Sequence, residues 1–459
     1  MTNACVGDDV SSVSGVSSGG PSSSGSSDGG SSGVSCVTTT CEDDELVDCD
    51  GRRTTCALGC RTQDQDARCA VFEPEGPATA GDLLRVGLAD LTLGDGHEID
   101  VRNGAIRAGT NAALRQPNDD PSADQVKNDI VFRVQDGVAI FIANTISFTG
   151  NPNFVGTVGA EVSSSHARLP VVFVAKNEIR VNTLLDLPCG LLGGGAGGAP
   201  GVDDGRGGGA GGGNHGNESL TGGGGGHATA GGQGGHSHFI GSTPSIKEGG
   251  HAGSAHNATF HFLGGGGGGA GRMLGMRTSG GGGGAAFGLI AGQAIWLGNG
   301  TGAHGINAAG CGGIGEDQSA GGGGGAGGFV SVQAPAVHVA AGGGIAANGG
   351  GGAGHNSGGA VSGERGSFSS VRAQGGGADD QHSCHGHGGH GGAEGSAPTQ
   401  GQSRSTCNPT NYGGGGGGAA GRIAIATLSG DFTDESDGTM VFSPATVGVQ
   451  RTRLSAEAP

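Results

Sequence analysis

Large side chains and charges are scarce in this chain. Aromatic residues make up only 3% of its 459 residues, with one Trp and one Tyr, and charged residues only 14%. A conventional globular core buries large apolar side chains, and this chain has few of them per residue. No apolar segment approaches the roughly 20 residues that a membrane-spanning helix needs. Segments rich in Leu, Glu and Lys with a 3.6-residue period are also missing, so the sequence does not predict helices.

Positive charge is in deficit as well. The formal net charge is −18 and the isoelectric point is near 5.2. Such a chain is repelled by the phosphate backbone of nucleic acids and by anionic membrane surfaces. The composition therefore predicts no nucleic-acid partner, and contact with a membrane only through a covalent lipid anchor.

Glycine is abundant: it supplies 111 residues, many of them in blocks followed by a short alternating apolar run. Examples are GGGGGAAFGLIAGQAIWL from Gly280, GGGGGAGGFVSVQAPAVHV from Gly321 and GGGGGGAAGRIAIATL from Gly413. Because glycine loses much backbone entropy on folding, such a chain is either disordered or a repetitive stack held by backbone hydrogen bonds. The Val, Ile and Phe runs between the blocks favour the stack.

Alternation of β-branched residues predicts four strand–bend–strand units. They are 131–134 with 138–142 and 146–148; 171–174 with 179–181 and 185–187; 289–290 with 295–297 and 306; and 330–332 with 337–339 and 345. A recurring short strand, tight bend and short strand is typical of one rung of a parallel β-solenoid. We expect a mainly β fold, namely a right-handed parallel β-solenoid-like stack with glycine-rich (polyglycine II-like) loops in inserts near 190–258, 307–328 and 348–412. The spacing predicts that Val332, Val337, Val339 and Ile345 point inward and match Ile290, Ile295, Leu297 and Ile306.

The glycine blocks have two alternatives, which the sequence leaves open. They can be mobile loops, or they can form polyproline II-like helices, which have three residues per turn and direct every N–H and C=O outward. Neighbouring helices without side chains can then satisfy these groups by bonding to one another.

Eleven cysteines indicate an oxidising compartment. Six of them are crowded into one short segment: Cys36, Cys41, Cys49, Cys56, Cys60 and Cys69. Their spacing does not supply the CxxC-like pairs of a zinc site, which favours disulfides within the segment. Of the cysteines farther on, Cys384 and Cys407 are expected to pair locally, which leaves Cys189 and Cys311.

Cys5 makes the total odd. The sequence Asn3-Ala4-Cys5 resembles the end of a bacterial lipobox, and residues 1–35 have the Ser/Gly-rich composition of a flexible, disordered tether. No apolar segment precedes Cys5, as a lipobox requires. Lipid attachment at Cys5 and an incidental free thiol therefore both remain open.

The cysteine-rich segment resembles a known module. Its order of Cys, acidic-Leu-Val, Cys, Thr-Thr-Cys, Leu-Gly-Cys and Ala-Arg-Cys is similar to a short module of glycine-rich cell-surface proteins and lipoproteins of myxobacteria and their relatives. The glycine blocks loosely resemble the extracellular glycine-rich domain of the anaplastic and leukocyte receptor kinases, where such blocks form polyglycine II helices. The expected organisation is a tether at 1–35, a small disulfide-rich module at 36–72 and the glycine-rich solenoid-like domain at 73–459.

No catalytic constellation is evident, and we expect neither an enzyme nor a cofactor. The weak candidates for metal ligands are His382, His385, His387 and His390, since closely spaced imidazoles can gather zinc, copper or nickel. Such loops lack the rigid surroundings of a strong site. The predicted strands expose few charged groups, with Arg133 and Arg180 as exceptions.

These features predict a non-enzymatic structural or interaction protein at the bacterial surface or in the extracellular matrix, whose partner is an envelope or extracellular polysaccharide or another surface protein. The alternatives are a ligand-binding surface protein, such as an adhesin that binds glycans or metals through its His-rich loops, and a carbohydrate-active solenoid enzyme.

Overall fold

The computed structural model is mainly β. It describes residues 39–48, 50–56, 58–63, 66–109, 112–155, 169–190, 192, 194, 207–208, 212–213, 221–239, 245–256, 262–273, 276–299, 302–315, 320–355, 361–377, 386–403, 410–411, 413–435, 440–444, 449–453 and 456–457. Within these ranges the regular structure is almost entirely strand, and the one helix has four residues. None of the described residues forms a helix with the length and apolar character needed to cross a bilayer. The predicted tether and Cys5 lie outside the described residues.

The N-terminal region is a small cross-linked β unit. Its strands are β1 (Thr40–Glu42), β2 (Glu45–Val47) and β3 (Arg53–Thr55), which form an antiparallel sheet, and the hairpin of β4 (Cys60–Gln63) and β5 (Asp66–Cys69). Disulfides join Cys41 to Cys60 and Cys56 to Cys69, with Cα–Cα distances of 5.5 and 5.1 Å. Cys36 and Cys49 lie outside the described residues. Cross-links of this kind stabilise units too small to bury a sufficient core.

The remaining elements follow in chain order. They are β6 (Val71–Phe72), α1 (Ala80–Leu83), β7 (Leu91–Leu93), β8 (His97–Asp100), β9 (Ile106–Ala108), β10 (Ala112–Arg115), β11 (Gln125–Lys127), β12 (Ile130–Gln135), β13 (Val138–Ala143), β14 (Ile146–Phe148), β15 (Asn153–Val155), β16 (Val171–Ala175), β17 (Glu178–Val181), β18 (Leu184–Asp186), β19 (Ser237–Phe239), β20 (Ser245–Lys247), β21 (Gly271–Met273), β22 (Met276–Thr278), β23 (Ala286–Ala291), β24 (Ala294–Leu297), β25 (Gly305–Asn307), β26 (Phe329–Gln333), β27 (Ala336–Ala340), β28 (Gly344–Ala346), β29 (Thr410–Asn411), β30 (Arg422–Thr427), β31 (Thr433–Glu435), β32 (Val441–Ser443), β33 (Val449–Arg453) and β34 (Ala456–Glu457).

Three sheets receive strands from the chain in rotation. The eight-stranded sheet has the order β11-β12-β13-β16-β23-β26-β30-β33, the six-stranded sheet β31-β27-β24-β17-β14-β7, and the four-stranded sheet β18-β25-β28-β32. All pairs in the six- and four-stranded sheets are parallel, and so are those of the eight-stranded sheet from β13 onward. Each of the segments β16–β18, β23–β25, β26–β28 and β30–β32 contributes one strand to each sheet in turn.

Equivalent residues of successive segments lie side by side. Ile295 pairs with Val337, Leu297 with Val339 and Ile306 with Ile345, and all six side chains are buried in one apolar cluster. These pairings agree with the predicted register.

The predicted match of Val332 with Ile290 is wrong by one residue. Val332 pairs with Leu289, and both side chains point into the main cluster, whereas Ile290 is buried on the opposite face of the sheet beside the strand position of Gln333. The bend before β27 is one residue shorter than the bend before β24, so the equal five-residue steps were misleading. Because side chains alternate along a strand, a slip of one residue exchanges the two faces.

Phenylalanines fill the first part of the main cluster. Phe132, Phe141, Phe173 and Phe287 follow one another with ring centroids 4.8, 5.2 and 5.8 Å apart. Later segments use Val and Ile at equivalent depth. The few aromatic residues are thus concentrated where they stack on one another.

Amide side chains form a ladder at the bend between the eight- and six-stranded sheets. Asn144 donates to the Asp90 carboxylate at 2.7 Å, Asn177 donates to the Asn144 side chain at 2.9 Å, and Gln293 donates to Asn177 at 3.2 Å. The following bend carries Pro335 and is one residue shorter, and the ladder stops before it.

Replacing Asn177 with alanine removes the middle of this ladder. We expect the variant to lose about 1–2 kcal/mol of unfolding free energy, since two side-chain hydrogen bonds disappear. Chemical denaturation measures the loss, and Asn151→Ala, at an exposed asparagine, is the control. Equal stability of the two variants would contradict a stabilising ladder.

The first end of the stack is closed by antiparallel strands. β12 pairs antiparallel with β13 and with β11, so residues 131–134 belong to a closing hairpin rather than to the predicted first repeat unit. Beside it lies a four-stranded sheet of order β10-β9-β8-β15. Arg115, fully buried, fixes this end: it donates to the carbonyls of Gly104, Gln116, Gln125 and Ile130 and to the Asn118 side chain.

Residues 71–88, here called the strap, cover the outer face of the eight-stranded sheet. Phe72 and Leu83 are buried against strand residues of that face. Gln333, fully buried, accepts a hydrogen bond from the Glu75 amide at 2.7 Å and donates to the Glu75 carbonyl at 2.8 Å. Arg133 forms a bidentate ion pair with Asp82 of α1 at 2.7 and 2.8 Å. β34 pairs antiparallel with β6, which brings residues 456–457 to the start of the strap.

The glycine blocks are hydrogen-bonded to one another. We call segments 222–226, 265–269, 281–284, 321–328, 349–354 and 415–421 the glycine lattice. Three of these segments form a closed set: Gly222 and Gly225 donate to Gly321 and Gly324, Gly324 and Gly327 donate to Gly416 and Ala419, and Gly416 and Ala419 donate back to Gly222 and Gly225, with N–O distances of 2.8–3.0 Å. In each case the bonds recur every three residues. The backbone groups of these blocks are therefore satisfied by neighbouring blocks.

A disulfide joins the segment after β18 to a residue that is hydrogen-bonded to Gly282 and Gly325 of the lattice. Cys189, just after β18, bonds to Cys311, with Cα atoms 5.6 Å apart. Cys384 and Cys407, which were expected to pair, lie outside the described residues.

Candidate functional site

The outward face of the six-stranded sheet carries a row of long side chains. Arg180 of β17, Trp296 of β24 and His338 of β27 occupy paired positions on neighbouring parallel strands. Their inward neighbours are buried isoleucines, leucine and valines, so the alternation of the strands directs this row outward. We call Arg180, Trp296 and His338 the ridge.

The ridge is a continuous stack. The Trp296 and His338 rings are stacked nearly parallel, with an interplanar angle of 8° and centroids 3.8 Å apart. The Arg180 guanidinium lies 5.6 Å from the Trp296 ring centroid, within the range of a cation–π contact. Both faces of the indole are thus covered, and its edge is presented outward.

Two carboxylates flank the ridge. Glu178 accepts from Arg180 at 2.9 and 3.1 Å, and Glu435 of β31 accepts from His338 Nδ1 at 3.1 Å. These groups are open to solvent: the Arg180 side chain is 51% exposed and that of Glu435 is 46% exposed. The face therefore combines hydrogen-bond donors, acceptors and an aromatic edge within three neighbouring strands.

Sequence reasoning singled out only Arg180 from this group. Arg133, the other cation expected to be exposed, is buried in its ion pair with Asp82. Burial alone would raise the pKa of Asp82, but the hydrogen bonds from Arg133 and from the Thr79 amide hold it below its ordinary value. Trp296 and His338 directly follow Ile295 and Val337, the residues that end the equal five-residue steps of the sequence, and this shared position is the signal that could have found them.

The predicted metal candidates are only partly within the described residues. His382 and His385 lie outside them. His390 accepts a hydrogen bond from the Gly375 amide at 3.1 Å, and its pKa is lowered by burial and by the positive charge of Arg372. Across the part of the chain that the structure describes, no three His, Cys, Asp or Glu side chains, those of His387 and His390 included, are grouped as for a metal ion.

Two acidic residues near the C-terminus, Asp431 and Glu435, make different contacts. Glu435 bonds to His338, whereas the Asp431 carbonyl accepts from Thr427 at 2.6 Å.

A buried histidine lies at the edge of the glycine lattice. His227 is 4% exposed and donates from Nε2 to the Leu263 carbonyl at 3.1 Å, while its buried Nδ1 has no hydrogen-bond partner among the described residues. Burial, together with the positive charge of Arg422, lowers its pKa to about 4. His227 is therefore neutral at pH 7.

This histidine predicts a loss of stability in mild acid. Its pKa is lower in the folded than in the unfolded chain, so protons favour the unfolded chain below about pH 6.5. We expect the unfolding free energy to fall by up to about 1.4 kcal/mol per pH unit between about pH 6.5 and 4. The Asp82 carboxylate, whose pKa is lowered in the folded chain, also contributes to the unfolding free energy. This contribution is lost only at lower pH, as the pH falls through the pKa that Asp82 has in the folded chain.

Denaturation curves recorded across this range for His227→Gln and for the control His251→Gln measure the effect. The slope should flatten in His227→Gln and persist in His251→Gln, because His251 is exposed. An unchanged slope in His227→Gln would refute this prediction.

Comparison with known proteins gave no match, whether to a protein-family model, to a curated protein or to a solved structure. The resemblance of the cysteine module to myxobacterial surface proteins therefore stays a prediction.

Proposed function

We propose that the chain is a non-enzymatic structural or interaction protein of the cell surface or extracellular matrix. In this proposal the three sheets form a right-handed parallel β-solenoid, and the glycine lattice consists of polyglycine II-like helices packed beside it. The rotation of strands among three sheets supports the solenoid, since that order repeats in four consecutive segments. The three-residue recurrence of lattice bonds matches the three residues per turn of a polyproline II helix.

The observation that carries the functional proposal is the way in which the fold is stabilised. Backbone hydrogen bonds between glycine segments take up much of the described chain, and such segments offer no side chains for chemistry. The carboxylates on the outward face are each engaged, Glu178 by Arg180 and Glu435 by His338. Three disulfides support an extracellular location, because such bonds persist in oxidising compartments.

Labelling of intact expressing cells with a membrane-impermeant reagent tests the location, and non-reducing peptide mapping of the recovered protein tests the disulfides. We expect a surface-labelled or secreted protein with Cys41–Cys60, Cys56–Cys69 and Cys189–Cys311 intact. The purified protein should release no reducing ends from polysaccharides over prolonged incubation. A reduced cytoplasmic protein, or steady release of reducing ends, would overturn the proposal.

A further inference from the structure

The ridge lies on the open face among the three sheets. The outer face of the eight-stranded sheet is covered by the strap. The four-stranded sheet is contacted by a loop whose Arg365 donates to the Asp186 carboxylate at 2.7 Å and to the Leu187 carbonyl at 2.6 Å. On the six-stranded sheet the outward side chains are half-buried or exposed along the row Thr92, Ser147, Arg180, Trp296, His338 and Thr433.

Small residues lie on both sides of the ridge. On one side Ala294 and Ala336 occupy paired outward positions, and Glu178 stands at the end of their row. On the other side Gly298 is buried, with Ala340, Gly343 and His304 close to it, and Glu435 pairs with Ala340 at the edge strand. The ridge is thus bordered on the side of Ala294 and Ala336 by a shallow trough that runs across the strands, with the Glu178 carboxylate at one end.

The chemistry of this face fits a ligand that is rich in hydroxyl groups and carries no charge. A hydroxyl group of such a ligand can donate to Glu178 or Glu435 and accept from Arg180. The C–H groups of the ligand can contact alanine methyls and the indole edge. The buried Nε1 of Trp296 has no hydrogen-bond partner among the described residues, which leaves one donor of the ridge unsatisfied. Polyanions are disfavoured by the two carboxylates and by the net charge of −18.

We propose that the ridge and this trough bind a neutral polysaccharide chain that lies across the strands of the six-stranded sheet. Neighbouring strands are about 4.8 Å apart, a distance comparable to the length of one hexose unit. Successive sugars can therefore meet equivalent positions on successive strands. This inference rests on the proposed function, for which it names the partner class.

The single tryptophan of the chain supplies a direct test. Because Trp296 is the only Trp, its fluorescence reports on the ridge without background. The purified full-length protein is applied to an array of neutral β-glucans, mannans and galactans, and each hit is titrated by Trp emission, with alginate as the anionic comparison. We expect a saturable change with at least one neutral glycan and none with alginate.

Variants then locate the binding. Arg180→Ala removes a donor, and Ala294→Gln fills the trough without adding charge; each should weaken binding at least tenfold. Arg107→Ala, at an exposed arginine of β9 away from the ridge, should bind as the unmodified protein does. Thermal unfolding of each variant verifies that it is folded.

Binding to no neutral glycan of the array, binding to alginate alone, or full affinity in both ridge variants would overturn the inference. These outcomes leave the proposed function intact, because location, disulfides and the release of reducing ends are measured separately. Conversely, a glycan that binds at the ridge and is then cleaved would support the inference and refute the non-enzymatic proposal.

Discussion

Replacing Gly324 with alanine is expected to destabilise the protein by about 3 kcal/mol, the upper end of the usual cost of overpacking. A Cβ at this position would lie 2.1 Å from the Gly350 carbonyl oxygen, and the Gly324 amide and carbonyl are bonded to Gly416 and Gly225. Relief of the clash requires movement of one lattice segment away from another, which breaks bonds to a third. The lower entropy of the unfolded alanine chain offsets only about 0.4–1 kcal/mol of this cost.

Gly377→Ala is the matched control. A Cβ there meets no atom within 4 Å, and no positive φ is required. Because only the unfolded-state effect remains, this variant should be neutral or more stable by up to about 1 kcal/mol. Calorimetric unfolding of both variants, together with hydrogen exchange of the lattice amides, measures the difference. Equal melting temperatures would show that the glycine lattice does not contribute to stability.

Val337→Asp should cost about 3–5 kcal/mol, a range reached only by severe core substitutions. Val337 is 1% exposed and pairs with Ile295 within the main apolar cluster. The carboxyl group of the variant must either be buried without a partner, or β27 must shift so that this group reaches solvent.

Ala336→Asp places the same side chain one residue earlier on the outward face of the same strand. That position is half-buried, so we expect a loss below about 1 kcal/mol, as for ordinary surface substitutions. Urea denaturation of the two variants compares them. A similar loss of unfolding free energy in both variants would contradict the inward orientation of Val337 and the outward orientation of Ala336.

Much of the strand pattern could be predicted because period-two alternation is a local property. The runs at 171–174, 295–297 and 337–339 lie in parallel strands, and their pairing follows from equal spacing. The position of Ile290 could not be derived in this way, since both faces of β23 are buried and its apolar run has no polar residue to mark a face. The closing role of residues 131–134 was missed for another reason: period-two alternation marks a strand but does not tell whether it pairs parallel or antiparallel with the next one.

The ridge depends on contacts between segments far apart in sequence. Arg180 and Trp296 belong to strands separated by the insert after Cys189, and Glu435 reaches His338 across the insert at 348–412. Each residue alone is an ordinary outward side chain of its strand. Only the parallel register brings them into one row, and insert lengths that vary from segment to segment conceal that register in the sequence.

The glycine lattice also determines how this protein meets proteolytic enzymes. Such enzymes select a side chain and need a segment of backbone that can be drawn into the cleft in extended form. No lysine or arginine occurs between Arg277 and Arg365, a span that includes three lattice segments and strands of all three sheets. Trypsin therefore has no cleavage site there even after unfolding, and in the folded chain the lattice backbone is already bonded on several sides. The protein should persist in protease-rich surroundings, and tryptic mass spectrometry should recover this region only as one very long peptide.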